Sequence, residues 1–154
     1  MADARIFADL KRDHDKHRAL LDRIAKAGDD GERAELVTAF TIEVTAHAAA
    51  EEESLYATML AKPDLRKEAQ HSVAEHKKID DDLEALAEAT PGSKKWCELF
   101  AAMRKCYLHH IDEEEREMFP AASAGLSSEE EKRLAGVFEQ RKPAELVRAE
   151  QKAA

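Results

Sequence analysis

Glycine, proline and cysteine are scarce in this chain of 154 residues, which contains five, four and two of them. Most of the glycines and prolines lie at the edges of long periodic segments, where helices stop, so the composition favours a helical protein. The two cysteines, Cys97 and Cys106, are nine residues apart on one predicted helix, a separation of about 13 Å that excludes a disulfide between them. A reduced, cytoplasmic protein is therefore the default expectation.

Long apolar runs and an excess of basic residues are also missing. No run approaches the ~18 apolar residues of a membrane span, and no apolar signal core follows the N-terminal residues. Lysine and arginine number 24 against 33 aspartates and glutamates, for a net charge of −9. We therefore expect no membrane partner and no nucleic-acid partner. Apolar residues make up 44% of the chain and charged residues 37%, as in a single globular domain.

Apolar periodicity predicts four long helices, over about 3–27, 32–61, 64–89 and 94–119. Ser127 and Ser128, followed by Glu131, resemble a capping box and predict a short fifth helix that ends near Gln140. Short turns between long helices make neighbours antiparallel. The predicted fold is an all-α, up-down-up-down four-helix bundle with a short fifth C-terminal helix. The bundle domain is expected over residues 1–143, with a loose charged tail over 144–154.

The inward face of each predicted helix is defined by residues that recur every three or four positions. The expected inward apolar residues are Phe7, Leu10, Leu21 and Ile24, then Phe40, Val44, Leu55 and Met59, then Val73, Ile79, Leu83 and Leu86, and finally Met103 and Met118.

Histidines and glutamates interrupt these faces in a duplicated pattern. His47-x-x-x-Glu51 returns 63 residues later (110 − 47) as His110-x-x-x-Glu114, each followed by an apolar and an aromatic residue. His14 on the first helix has its counterpart in His76 on the third, 62 residues later (76 − 14). The first helical hairpin therefore resembles the second.

The four histidines are predicted to meet at one level of the bundle. Counted from the turns that join the helices, their heights differ by only ~3–5 Å. Glu51 and Glu114 lie on the same inward faces, and no lysine or arginine lies on those faces to neutralise them. A buried carboxylate is costly unless it is paired or bound to a cation, so we expect a metal. Mixed imidazole and carboxylate donors suit Fe, Mn, Co or Zn, and two similar halves suggest two ions bridged by the glutamates.

These motifs together resemble the hemerythrin family, in particular the bacterial HHE domain, over roughly residues 5 to 143. The resemblance implies a non-haem di-iron centre, oxo- or hydroxo-bridged when oxidised, in a four-helix bundle. By this resemblance His14 and His47 would hold one iron, and His76 and His110 the other. Glu51 and Glu114 would bridge the two.

Two positions depart from the family pattern. Asp80 stands where the oxygen carriers of the family have a further histidine, and is either an oxygen ligand or a surface or capping residue. His17 lies near His14 on the inward face and is either an extra ligand, a proton donor or a histidine at the edge of the core.

Tyr107, one turn before His110, either hydrogen-bonds near a bound ligand or packs in the core.

Several residues imitate the ligand pattern and are set aside. His71 and Glu75 have the spacing of a ligand pair, but His71 points ~140° away from His76 and is expected in solvent. His109 and Glu113 fall off the inward face of their helix. Cys106 either approaches the site or is a small core residue.

The expected function is the binding of O₂ or NO at two iron ions, for oxygen carriage, sensing or iron handling. One alternative is a di-iron redox enzyme that acts on peroxide, NO or a small oxidisable substrate. Another is an iron store or an iron donor for the repair of iron centres.

Overall fold

The computed structural model describes residues 3–154, which form five helices and, within that range, no strand. The all-α fold class is therefore confirmed. Helix α1 is Arg5–Lys26 and helix α3 is Arg66–Glu88. Two helices contain a π-helical turn, so each is given in three parts. Helix α2 comprises Asp30–Glu51, the π turn Glu52–Tyr56 and Ala57–Leu60. Helix α4 comprises Lys94–Glu113, the π turn Glu114–Met118 and Phe119–Gly125. Helix α5 is Ser128–Ala153.

Side-chain caps fix where three of the helices begin. The Asp29 carboxylate accepts a hydrogen bond from a backbone N–H of α2 at 2.8 Å, which starts that helix two residues before the predicted position. Ser93 caps α4 in the same way. Ser127 caps α5 in a full capping box, whose partner is Glu130 rather than the predicted Glu131. Such caps each contribute about 1 kcal/mol.

Pro120 does not end α4, although the sequence predicted that it would. The π turn before it shifts the hydrogen bonds, so that Phe119 N–H donates to the carbonyl of Glu114, five residues back. Pro120 then occupies the first turn of a new α-helical stretch, where its missing N–H costs little. The helix therefore continues to Gly125.

Helix α5 is much longer than predicted. It has 26 residues and runs through Pro143 to Ala153, so the end expected near Gln140 is wrong. It packs along α1 and α2, and Phe138 and Ala149 are buried there. Burial on the bundle offsets the helix-breaking tendency of the proline. The expected boundary between domain and tail, at residue 143, would fall inside this helix.

The core is divided into two apolar clusters with a polar layer between them. One cluster includes Phe7, Leu10, Leu55, Met59 and Met118. The other includes Leu21, Ile24, Phe40, Val44, Ile79, Leu83, Leu86 and Met103. Val73 is exposed, contrary to prediction, because the inward face of α3 passes through Ser72 and His76 instead. The polar layer contains the histidines and glutamates of the duplicated motif.

No helix in the described range 3–154 is both long and apolar enough to cross a membrane.

Candidate metal centre

Six side chains from four helices meet in the polar layer. All six are at least nine-tenths buried, although each carries an ionisable group: His14, His47, Glu51, His76, His110 and Glu114. Each helix contributes to the layer because the four inward faces have the phase that the sequence predicted. The common level deduced from the turns is therefore confirmed by the structure.

The six residues form two donor groups that share both glutamates. In one group the donor atoms of His14, His47, Glu51 and Glu114 all lie within 4.8 Å of one another. In the other, His76 and His110 join the same two glutamates within the same distance. Two cations could thus occupy neighbouring positions with both carboxylates between them.

A ring of outer carboxylates orients the four imidazoles. Every Nδ1 faces a carboxylate on an adjacent helix, and each such carboxylate is the sequence neighbour of a residue in the two donor groups. The pairs are His47 with Asp13 at 2.8 Å, His76 with Glu52 at 3.2 Å, His110 with Glu75 at 2.8 Å and His14 with Glu115 at 2.7 Å. Nδ1–H donates outward in each pair, so Nε2 is left as the inward donor atom for a metal.

The inward-facing polar atoms have few partners. Nε2 of His14 and of His47, both carboxylate oxygens of Glu51 and Oε2 of Glu114 are buried without a hydrogen bond. The basic groups that face the two glutamates are imidazoles, with Glu114 3.0 Å from His110 and Glu51 3.4 Å from His76, and a buried carboxylate without a strong partner costs several kcal/mol. The nearby cations Arg18 and Lys142 pair with the outer carboxylates Glu115 and Asp13 instead. The donor set therefore fits divalent or trivalent cations held between imidazole nitrogens and carboxylate oxygens.

The pKa values of these residues are shifted by burial and by their contacts with one another. Burial and the charge of Glu114 raise the pKa of Glu51 to about 7. Burial alone would lower the pKa of His110, but its contact with Glu114 outweighs this and raises it to about 10. Contacts with Glu114 and Glu115 outweigh burial at His14, and contacts with Glu51 and Glu52 do so at His76, so that both pKa values are raised to about 9. Metal ions would have to displace these protons, so binding should depend on pH.

Tyr56 belongs to the site but was not predicted there. Its hydroxyl donates a hydrogen bond to Oε1 of Glu114, and its ring stacks on His76 at a centroid distance of 5.3 Å. A π turn has more residues per turn than an α-helix, so it brings Tyr56 back to the face of Glu51, five residues earlier. The only signal in the sequence was the repeated apolar–aromatic pair after each His-x-x-x-Glu.

His17 and Tyr107 are buried beside the donor groups but belong to neither. They share a hydrogen bond between His17 Nδ1 and the Tyr107 hydroxyl at 2.6 Å. Nε2 of His17 has no hydrogen bond and lies 3.9 Å from Glu43. Burial lowers the pKa of His17, which favours the neutral imidazole. The role of His17 as an extra ligand stays a prediction.

Asp80 lies at the surface and is in neither donor group. It lines a small cavity of about 10 Å³ that also touches His47, His76 and His110. On its other side it lines an open groove of about 330 Å³ between α2, α3 and the end of α5. Asp80 therefore stands between the solvent and the histidines, and its role as a ligand stays a prediction.

Among the residues that were set aside, Glu75 touches the buried layer, because it accepts the hydrogen bond of His110 Nδ1, whereas His71 and His109 lie outside it. The side chains of His71 and His109 are 57% and 73% exposed, as expected. Cys106 is partly buried and packs against the apolar cluster of Leu21 and Phe40, and Cys97 is exposed.

Comparison with known proteins identifies the family. The model of the hemerythrin HHE cation binding domain matches residues 5–122, so the chain belongs to this family of cation-binding helical domains. The match ends before α5, short of the residue 143 to which the sequence resemblance was drawn. No curated protein matches the chain.

A solved structure has the same overall fold. The crystal structure of a hemerythrin HHE cation binding domain-containing protein from Mycobacterium kansasii aligns with 97% of this chain and 99% of its own, with a TM-score of 0.73 and 26% sequence identity. The alignment spans nearly the whole of both chains, so it includes the region of α5.

Proposed function

We propose that the buried layer holds two iron ions. His14 and His47 would bind one ion through Nε2, and His76 and His110 the other. Glu51 and Glu114 would bridge the pair. The observation that supports this most strongly is that the two donor groups share both glutamates. The unpartnered inward oxygens and nitrogens support it independently, because cations would satisfy them.

We further propose that the protein binds O₂ or NO at this centre. When bound, reduced iron would supply an open coordination position and electrons for such a ligand. The small cavity beside His47, His76 and His110 has a volume of about 10 Å³, which is room for about one water molecule and excludes large ligands. Its apolar walls, Val44 and Ile79, would limit water. Carriage, sensing and iron handling are all compatible with this site.

A redox enzyme acting on peroxide, NO or a small substrate is the second candidate, and three residues favour it. Tyr56 and the His17–Tyr107 pair place hydroxyl and imidazole protons beside the donor groups. A stable oxygen carrier would need few such proton donors. Asp80, if it became a ligand, would add negative charge and favour ferric iron.

The reaction of the reduced protein with O₂ separates the two candidates. The experiment follows the ultraviolet–visible spectrum after mixing, and then after purging with argon. A stable charge-transfer band that disappears under argon supports reversible binding. Prompt conversion to a ferric spectrum that argon does not reverse supports redox chemistry or storage instead.

A further inference from the structure

A second group of metal-binding side chains lies at the surface between α3 and α4. His71, Glu75 and Glu113 each offer one donor atom, and the three atoms lie within 4.8 Å of one another. His71 Nε2 is 3.3 Å from Glu113 and 3.5 Å from Glu75. We call these three residues the surface cluster. His109 lies beside it, with Nε2 3.3 Å from the other oxygen of Glu113.

The carboxylates of the surface cluster lack basic partners. Within the described residues, Glu75 and Glu113 come within 4.0 Å of histidines only, and of no lysine or arginine. Two more carboxylates, Glu68 and Glu117, line the pocket at this point. Acidic residues further along α3 behave differently, since Asp81 and Asp82 each pair with a lysine. The surface cluster therefore concentrates negative charge beside an imidazole donor.

A pocket of about 40 Å³ leads inward from the surface cluster. It is lined by all three cluster residues and by Ser72, Met118 and Glu114. Glu114 is 1% exposed, and its two carboxylate oxygens lie 3.3 Å from His14 Nε2 and 3.0 Å from His110 Nε2. The pocket is large enough for about three water molecules, each of which needs about 10–15 Å³. It therefore connects the exposed cluster with a carboxylate of the buried layer.

We propose that the surface cluster binds a divalent cation and that the pocket beneath it is the route by which metal reaches Glu114. The cation site depends only on the geometry of the cluster, whereas the route rests on the proposed di-iron centre. One imidazole and two carboxylates provide three ligands, and water completes the coordination. With His71 more than half exposed, the ion would exchange freely with solvent.

The cation site is tested on the iron-loaded protein with Zn²⁺ as the probe. Isothermal titration calorimetry should show one Zn²⁺ ion bound in addition to the iron. His71→Ala and Glu113→Gln should each lower this affinity at least ~10-fold. Glu75 is left intact, because it also accepts the hydrogen bond of His110 Nδ1. Asp112→Asn is the matched control, since Asp112 is on the same helix but pairs with Arg116 at 3.1 Å.

The route is tested by the rate at which reduced protein releases iron to 2,2′-bipyridine. Release should slow several-fold in His71→Ala and Glu113→Gln and stay unchanged in Asp112→Asn. Absence of a bound Zn²⁺ ion, or equal affinity in all four proteins, would overturn the cation site. Unchanged iron release in both cluster variants would overturn the route. Neither result would affect the proposed centre itself, whose iron content is measured separately.

Discussion

The two halves of the buried layer have the same ligands but different surroundings. The half with His14 and His47 is covered by α5, where the Phe138 ring lies 5.9 Å from His47 and Lys142 pairs with Asp13 at 2.7 Å. The half with His76 and His110 has no such cover, and cavities approach it past Asp80 and past the surface cluster. The duplicated sequence therefore gives the two halves the same donor residues, but the residues that surround the two halves differ.

Of the four histidines, only His47 has a lowered pKa, whereas the pKa of His14 in the same half is raised to about 9. Burial lowers the pKa of His47 to about 3, because the opposing hydrogen bond with Asp13 compensates only in part. In the other half, contacts with the central glutamates raise the pKa of both His76 and His110. From the position of α5 and of the two cavities we infer that metal and small ligands would enter at the open half.

Loss of a shared ligand should have the largest effect, because it damages both halves. Glu51→Ala removes a carboxylate from both donor groups, and His110→Ala removes one of the two imidazoles in the open half. Both variants should lose most of their iron, measured as iron per chain after purification. His71→Ala is the matched control once it has been saturated with Fe²⁺, so that a slower entry of metal does not matter, and it should then hold as much iron as the wild type. Loss of iron from His71→Ala would contradict the assignment of the buried residues.

Removal of the cover should weaken the fold mainly at the first half. Phe138→Ala deletes a buried ring that contacts His47, and such truncations cost about 3–5 kcal/mol. The free energy of unfolding from urea denaturation measures this loss. Val73→Ala, at an exposed position of the open half, should cost no more than about 0.5 kcal/mol. Similar losses in the two variants would show that α5 does not stabilise the covered half.

The stability of the metal-free protein should fall between pH 7 and pH 10. His14, His76 and His110 have pKa values raised to about 9, 9 and 10. Their unfolded pKa is about 6.5, so the folded chain binds more protons than the unfolded chain in this range. The stabilisation is complete below pH 6.5 and is lost as the pH rises through these values.

Iron-loaded protein should behave in the opposite way, because metal ions replace the protons. The gain in melting temperature on iron binding should therefore increase from pH 7 to pH 9. Thermal unfolding of chelator-treated and iron-loaded samples at each pH measures the difference. A gain that stays constant with pH would mean that the histidines do not exchange protons for metal.

Asp80→His should give the smallest effect, confined to the open half. An imidazole in place of an anionic oxygen would favour ferrous iron, so oxidation of the reduced protein in air should slow, by roughly tenfold at most. The appearance of the ferric absorption spectrum gives the rate. An unchanged or faster rate would show that Asp80 does not tune the iron.

The fold and the six central donors could be predicted because helix geometry fixes both phase and height. Spacings of three and four residues place His110 and Glu114 on one face, and short turns set the levels of the four helices. The π turns could not be predicted in this way, since each depends on a local shift of backbone hydrogen bonds to carbonyls five residues back. They determine where Tyr56 lies and why Pro120 is tolerated.

The different surroundings of the two halves could not be predicted from the sequence either. Asp13 and Glu75 are adjacent to predicted ligands, but their pairing with His47 and His110 depends on how closely neighbouring helices approach. Pro143 indicated a helix end because its local effect is unfavourable, whereas burial of Ala149 and Phe138 against the bundle overrides it. Tertiary packing of this kind has no signature in local spacing.

We propose that two metal ions share Glu51 and Glu114, and anomalous X-ray diffraction at the iron absorption edge is the decisive test. Crystals of the iron-loaded protein should show two peaks in the buried layer. One peak should contact Nε2 of His14 and His47, the other Nε2 of His76 and His110, with both glutamates between them. A single peak, or peaks that lie away from these glutamates, would contradict the claim.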